Sequence, residues 1–405
     1  MSQQKVLECD VLIVGGGPAG LSVAGALPDH VSAIVIHQDK EIGKPVRTSG
    51  GSWLSDMQRL NIPENLFQII DTLDIFSDNQ KTHLSFQEDR PVVLDVTGLY
   101  QWLGVKAESR GAQIFCDTKF QTTRKTGDGR FETEVRSKAG GIEKIVSKYI
   151  VDASGVHCAV LRSLSLGPKP VRYGVGIEYE YALGANDPHR AVLFVGTDAL
   201  SGYGWVFPSP DNRLRVGVGV IHPDTDSSPR EMLEGFLKSS ALERYGMTVE
   251  GPVLQKNGGT IPSIPYDPKL VYGQVIRVGD SANFATPIVG EGIRICIEFG
   301  DLLGRQLGKT LQTGSLKHLQ DYEAACQRAM ERNYRVGVSA NKRISSYGVA
   351  DWDKSVARLG RLNERDVVAL LKAEFSAKLV LRTLLGFLRS RTEKCLKRLG
   401  GRREF

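Results

Sequence analysis

Apolar positions follow two different rhythms along the chain. At the start, "VLIVG" is an unbroken apolar run entering a glycine cluster. "PAGLSVAGAL" then places small residues at helical spacing, and "SAIVIHQ" is a second apolar run. Unbroken runs suit strands covered on both faces, so the opening predicts strand, glycine turn, helix, strand. Between about residues 80 and 260 the rhythm changes to alternation: "YGVGIEYEYAL", "RAVLFVG" and "YGWVFPSPDNRLRVGVGVI" repeat with period two around the turn signal "PSPDN". That pattern predicts an antiparallel sheet with one covered face. "PREMLEGFLKSSALERYG" predicts one helix with Pro in its first turn and Gly at its end. A third apolar strand, acid and glycine cluster follows in "IRVGDSANFATPIVGEGI". Helical patterns then run to the C-terminus, through "SLKHLQDYEAACQRAMERNYRVG" and "AEFSAKLVLRTLLGFLRSRTEKCLKRLGG". The expected class is α/β. A nucleotide-binding unit is built from residues 1–79, 100–165 and 268–310, and an inserted antiparallel sheet domain from 80–99 and 166–267. A helical region covers 311–405.

Composition narrows the function classes. The chain has 405 residues, 41% of them hydrophobic and 24% charged, which suits two folded domains sharing a cleft. "MSQQKVLECDVLIV" lacks a basic n-region, and no stretch reaches the roughly 18 uninterrupted apolar residues of a spanning helix; a cytoplasmic protein is expected. Cys9, Cys116, Cys158, Cys296, Cys326 and Cys395 stand singly, without CxxC or a histidine at ligand spacing, so no metal site is expected. Net charge is +6, yet residues 371–405 alone carry ten Lys/Arg against three Glu. Basicity is therefore a property of the tail, which argues against a nucleic-acid partner.

The motifs point to a cofactor with two ends. In "GGGPAG", Gly15 permits the tight turn, Gly17 lets the backbone approach a pyrophosphate, and Gly20 allows close helix packing, with Pro18 and Ala19 opening the helix whose amides face the anion. The acid expected at the end of the second strand is replaced by His37, followed by Gln38; a neutral imidazole still bonds a hydroxyl. Arg47 suits an anion, and Thr48, Ser49 and Gly50 have little bulk, so a flat ring fits against them. "YIVDASG" repeats the strand and acid theme at Asp152 and Gly155. Gly279 and Asp280 end another strand, and Pro287, Gly290, Glu291, Gly292 and Ile293 bring a helix N-terminus close to something planar. One phosphate loop serves one nucleotide, so the later cluster reads as the site of the other end.

These clusters, in this order, resemble flavoproteins of the glutathione-reductase or para-hydroxybenzoate-hydroxylase type. The resemblance implies a Rossmann-type FAD-binding domain over most of residues 8–310, with Asp280 accepting from the ribityl chain. "EIGKPVR" with its small-residue run, "YGWVFP" and "GDSANFATPIVGEGI" together resemble the geranylgeranyl reductase family, in which Tyr203, Trp205 and Phe207 would line the cavity beside the flavin. Period-two spacing puts these three aromatics on one face, an apolar wall. The chain departs from that family at Thr48–Gly51, where members commonly carry Cys-Gly-Glu-Gly.

The resemblance implies FAD-dependent reduction of carbon-carbon double bonds in an isoprenoid or similar small lipophilic substrate. Tyr203 is the candidate proton donor, and Trp205 and Phe207 are the candidate cavity walls. The alternative is a flavin monooxygenase, a hydroxylase rather than a halogenase, because halogenases carry two tryptophans in the related string and Trp205 stands alone here. No second GxGxxG exists, so NAD(P)H docks transiently or a reduced carrier donates electrons. The basic C-terminus fits peripheral membrane contact as well as a solvated capping helix. Sequence leaves the oligomeric state open.

Overall fold

The computed structural model describes residues 5–137, 142–167 and 170–375. Its first layer is an eight-stranded sheet. The parallel strands run in the order Val275–Arg277, Ile142–Asp152, Lys5–Val14, Ala33–Ile36 and Gln113–Phe115, and the hairpin Thr118–Lys125 with Phe131–Ser137 extends Ile142–Asp152. Leu12 and Ile13 point to opposite faces and are both fully buried, as expected of an apolar run inside a parallel sheet. Register sets Val14 opposite both Ile36 and Asp152, and Asp152 opposite Arg277. Four strands thus end at one level, and the segments that leave them share one edge.

Two helices cover this sheet and also pack on each other. Pro18–Ala26 and Ile293–Thr313 meet through Gly300, Gly304 and Gly308, spaced one turn apart. A Cβ at Gly300 would stand 2.6 Å from the Ala19 carbonyl oxygen, and one at Gly304 or Gly308 would collide with Val23 or Pro28. Only glycine lets the two backbones approach this closely.

The second layer is a seven-stranded sheet in the order Gln255–Pro262, Tyr173–Ala182, Arg213–His222, Ala199–Ser209, Arg190–Gly196, Thr72–Phe76, Lys81–Ser85. Its far face is covered by Pro229–Lys238 and Ala241–Arg244, where Phe194 stacks on Phe236 at 4.3 Å. The single helix expected over this stretch is broken at Ser239, whose hydroxyl turns back to the Phe236 carbonyl at 2.7 Å and accepts from Ala241 N at 3.2 Å. The expected domain boundary at 79/80 also shifts. Thr72–Phe76 pairs with Arg190–Gly196 in this sheet, and buried Asp74 ties the strands together by accepting from Arg190 (2.8 Å) and lying 2.8 Å from His83 Nδ1. Strand pairing across more than a hundred residues, rather than the local pattern, assigns this segment to the inserted sheet.

A small sheet of Gly51–Trp53, Pro91–Leu94 and Phe67–Ile69 lies beside the large ones. The chain then continues as helices Lys317–Ile344, Val349–Leu359 and Glu364–Leu371, the last two packing Val356, Val367, Val368 and Leu371 against Leu73, Ile75 and Ala191. The amphipathic pattern expected beyond Phe375 falls outside the described residues.

Candidate functional site

The shared strand edge gathers the glycine clusters. Gly15 has φ +123°, and its backbone lies so close to Ala153 that a side chain would collide there; a Cβ on Gly20 would strike the Gly15 carbonyl. Gly17 differs: a Cβ there meets nothing within 4 Å, and Gly17 caps the N-terminus of Pro18–Ala26. Open space at a helix N-terminus whose amides lack partners is suited to an anion. Ala19 is buried beneath this loop, and Gly155, with φ +70°, also faces open space.

Beside the loop, His37 packs against Gly16 and Gln38 is exposed. The buried His37 Nε2 has no hydrogen-bond partner and stands 3.4 Å from the Asp39 carboxylate. Burial pushes the imidazole pKa down, favouring the neutral ring. The Arg47 guanidinium donates to Asp39 at 2.7 and 3.1 Å.

Two strand-end carboxylates were expected to act alike, and the structure separates them. Asp152 is fully buried and accepts from Ser154 N (3.1 Å), Ser154 Oγ (2.6 Å) and Leu161 N (3.0 Å). These three hydrogen bonds from its own loop brace the turn. Asp280 follows Gly279, which has φ +71°. Its carboxylate receives no hydrogen bond from the described residues, and burial raises its pKa to about 6.

A cavity of about 120 Å³ opens from this edge toward the second sheet. Thr48, Ser49, Gly51 and Gly290 to Ile293 form one side, and Ile70, Leu73, Ala191, Leu193, Tyr203, Phe207, Val289 and Leu371 form the other. Gly50, with φ +78°, turns the first loop, and Arg215 fixes it by donating to the Ser49 carbonyl at 2.9 Å. Gly292 caps the helix Ile293–Thr313. Pro287 lies outside the lining, buried against Gly337, where it fixes the loop from behind.

The aromatic strand behaves differently from the sequence expectation in two respects. Tyr203 and Phe207 line the cavity, whereas Trp205 lies flat on the sheet over Gly176, Gly217 and Gly219, with its indole N–H given to Glu178 at 2.7 Å. The glycines that make room for the indole hold it down as a floor. Tyr203 donates its hydroxyl to the Val289 carbonyl, and burial raises its pKa far above the usual phenol range. Such a group tethers the 289 loop and is a poor proton donor.

A buried charge cluster behind the cavity escaped sequence reading. Glu291 accepts from Ser52 Oγ (3.1 Å) and Arg294 Nε (2.8 Å), and Arg294 lies 3.6 Å from Asp56. Lys372 bridges Asp56 (2.9 Å) and Asp89 (2.7 Å), while Arg294 donates to the Lys372 carbonyl at 3.3 Å. Burial raises the Glu291 pKa and Arg294 opposes that shift. The cluster clamps Leu371, the neighbour of Lys372, into the cavity wall. Its members are spread across more than 300 positions, so the sole local signal was the Glu291 and Arg294 spacing.

Comparison with known proteins agrees with this geometry. A family model described as "FAD binding domain" matches residues 8–336. The chain is 24% identical over 373 residues to digeranylgeranylglycerophospholipid reductase 3 of Methanosphaera stadtmanae, covering 89% of this chain and 92% of that one. The crystal structure of a geranylgeranyl bacteriochlorophyll reductase-like protein from Thermoplasma acidophilum superposes with TM-score 0.80 at 20% identity, covering 93% and 96%. The p-nitrophenol 4-monooxygenase of Pseudomonas putida superposes with TM-score 0.69 at 16% identity, covering 91% and 99%.

Proposed function

The chain belongs to the FAD-binding-domain family, and from that premise we propose that it is an FAD-dependent oxidoreductase that reduces carbon-carbon double bonds of an isoprenoid chain. The observation that carries this reading is an apolar cavity lined by Tyr203, Phe207, Leu73 and Leu193, in a fold that also holds an open phosphate cradle at Gly17 and, in Asp280, a carboxylate that takes no hydrogen bond from the described residues. The residues fit the cofactor. Gly17 and the helix at Pro18 would take the pyrophosphate, His37 Nε2 and Asp39 would accept from the ribose, and Asp280 from the ribityl chain. Thr48 to Gly51 and Gly290 to Ile293 would flank the ring.

Reduced FAD supplies a hydride, and the double bond also needs a proton. The apolar lining of this chain would orient the substrate. The helix N-terminus at Gly292 and Ile293 would stabilise negative charge on a ring held there. With the Tyr203 hydroxyl committed to Val289, the proton comes from solvent at the cavity mouth. Relatives named for prenyl-lipid reduction, aligned over nearly the whole chain, support the substrate class. The electron donor is NAD(P)H docking transiently or a reduced carrier.

The cavity volume lies well below the roughly 300–1,000 Å³ of common ligand pockets, so a prenyl chain must displace a wall. The basic C-terminus supports peripheral membrane association, and among the described residues no helix is long and apolar enough to cross a membrane.

The test is anaerobic turnover of the reduced holoenzyme with a geranylgeranyl lipid, followed by mass spectrometry. A product heavier by two hydrogens per reduced bond is expected. Turnover that requires oxygen and places labelled oxygen in the product would establish a monooxygenase instead.

A further inference from the structure

The helix Lys317–Ile344 has two unlike faces. Leu319, Tyr322, Cys326, Met330, Tyr334 and Val338 are buried against the core. On the opposite side Arg328, Arg332, Arg335 and Lys342 are exposed, with Ser339 completing a spacing of four, three, four and three residues. That spacing keeps all five positions on one side of the helix. At 1.5 Å per residue the stripe is about 21 Å long. Arg328, Arg332 and Arg335 form no side-chain hydrogen bond or ion pair among the described residues, while Lys342 lies in the field of Asp224. Acidic residues nearby are Glu331, which accepts from Gln327 at 2.9 Å, and Asp321, two turns earlier.

Three neighbouring arginines that pair with no acidic side chain among the described residues repel one another. We infer that this stripe docks the protein on an anionic lipid bilayer. Two features select a bilayer over other anions. The cavity wall at Leu371 leads within four residues to Phe375, whose backbone N–H donates to Asn333 of this same helix at 3.2 Å and whose ring packs beside Val336. Phe375 therefore joins the cavity wall to the helix that bears the stripe at one corner. From that corner the sequence continues with nine Lys/Arg against two Glu over residues 376–405. That segment has the same sign as the stripe, so charge gives it no attraction to the stripe, and both favour a negatively charged surface. Substrate entry from the lipid phase rests on the prenyl-reductase reading; the docking itself does not.

The experiment is flotation of the full-length holoenzyme with vesicles of phosphatidylcholine alone or mixed with phosphatidylglycerol, over a range of salt. Binding to the anionic vesicles only, falling as salt rises, is expected. Each basic residue near such a surface contributes roughly fivefold in partitioning, so Arg328→Glu, Arg332→Glu and Arg335→Glu together should cut partitioning by at least about a hundredfold. A control reversing Lys119, Lys238 and Lys309, exposed elsewhere, should change it far less. Circular dichroism and retained flavin verify folding of both variants, and turnover of a detergent-dispersed prenyl lipid should match wild type.

Equal flotation of the triple variant, or equal binding to neutral vesicles, overturns the inference. So does unchanged flotation with lost reduction by an acidic electron-carrier protein, which would make the stripe a protein dock. Absence of prenyl reduction by wild type, with flotation behaving as expected, would remove the substrate assignment and leave the docking surface standing.

Discussion

Asp152 and Asp280 look alike in the sequence, each following an apolar strand with a glycine within three residues, and they lie at the same edge of the same sheet. Their surroundings differ. Asp152 takes three hydrogen bonds from its own loop, and Asp280 takes none from the described residues. A buried acid whose partners are already present belongs to the architecture. One that is partly open and without them has acceptors to offer a ligand. The same contrast separates Gly15, pressed against Ala153, from Gly17, which faces open space.

The largest expected effect comes from Asp152→Ala. Two backbone N–H groups and a hydroxyl would lose their acceptor, which costs about 3 kcal/mol or more; a denaturant midpoint shift of that size would uphold its architectural role, and a loss below about 0.5 kcal/mol would refute it.

Asp280→Asn tests the other half. Its folded-state pKa of about 6 lies above the ordinary carboxylate value of 3.8. The native protein therefore holds this proton more tightly than the unfolded chain, and stability falls as pH rises through the window from about 4 to 6. The cofactor-free variant should melt like wild type near pH 4 and exceed it above pH 6 by up to about 3 kcal/mol. It should also bind FAD at least about tenfold more weakly, corresponding to one lost hydrogen bond. A destabilised variant with normal FAD affinity would reverse the assignment.

Glycine substitutions sharpen the contrast with smaller differences. Gly15→Ala should destabilise by about 1–3 kcal/mol through its positive φ and the collision at Ala153, whereas Gly17→Ala should stay within about 0.5 kcal/mol of wild type yet weaken FAD retention during gel filtration. Smallest is Arg47→Ala. Its pair with Asp39 is half exposed, so thermal unfolding should move by less than about 1 kcal/mol.

How much of this was legible depended on the range of the determining contacts. The phosphate loop, the strand before it and the helix after it are local, and "DVLIVGGGPAG" sufficed for them. The alternation in "YGWVFP" placed three aromatics on one face, but not the tilt of Trp205, which depends on glycines of the strands Tyr173–Ala182 and Arg213–His222 and on Glu178. Asp152 and Asp280 share a sequence context, so their division of labour is set by which loop folds back. The clamp of Asp56, Asp89, Arg294 and Lys372 joins segments that only the completed fold brings together. The glycines at 300, 304 and 308 were present as a one-turn periodicity, the single signal that a closer reading of spacing would have caught.

Those three glycines carry a consequence for the whole cofactor path. They press the helix that begins at Ile293 against the one that begins at Pro18, and each helix opens at one end of the path. Backbone against backbone leaves no rotamer to absorb slack, so the two openings act as the jaws of a fixed caliper. The gap between them is thereby set by the main chain; on the proposed reading, a mononucleotide too short to span it would be held at one end alone.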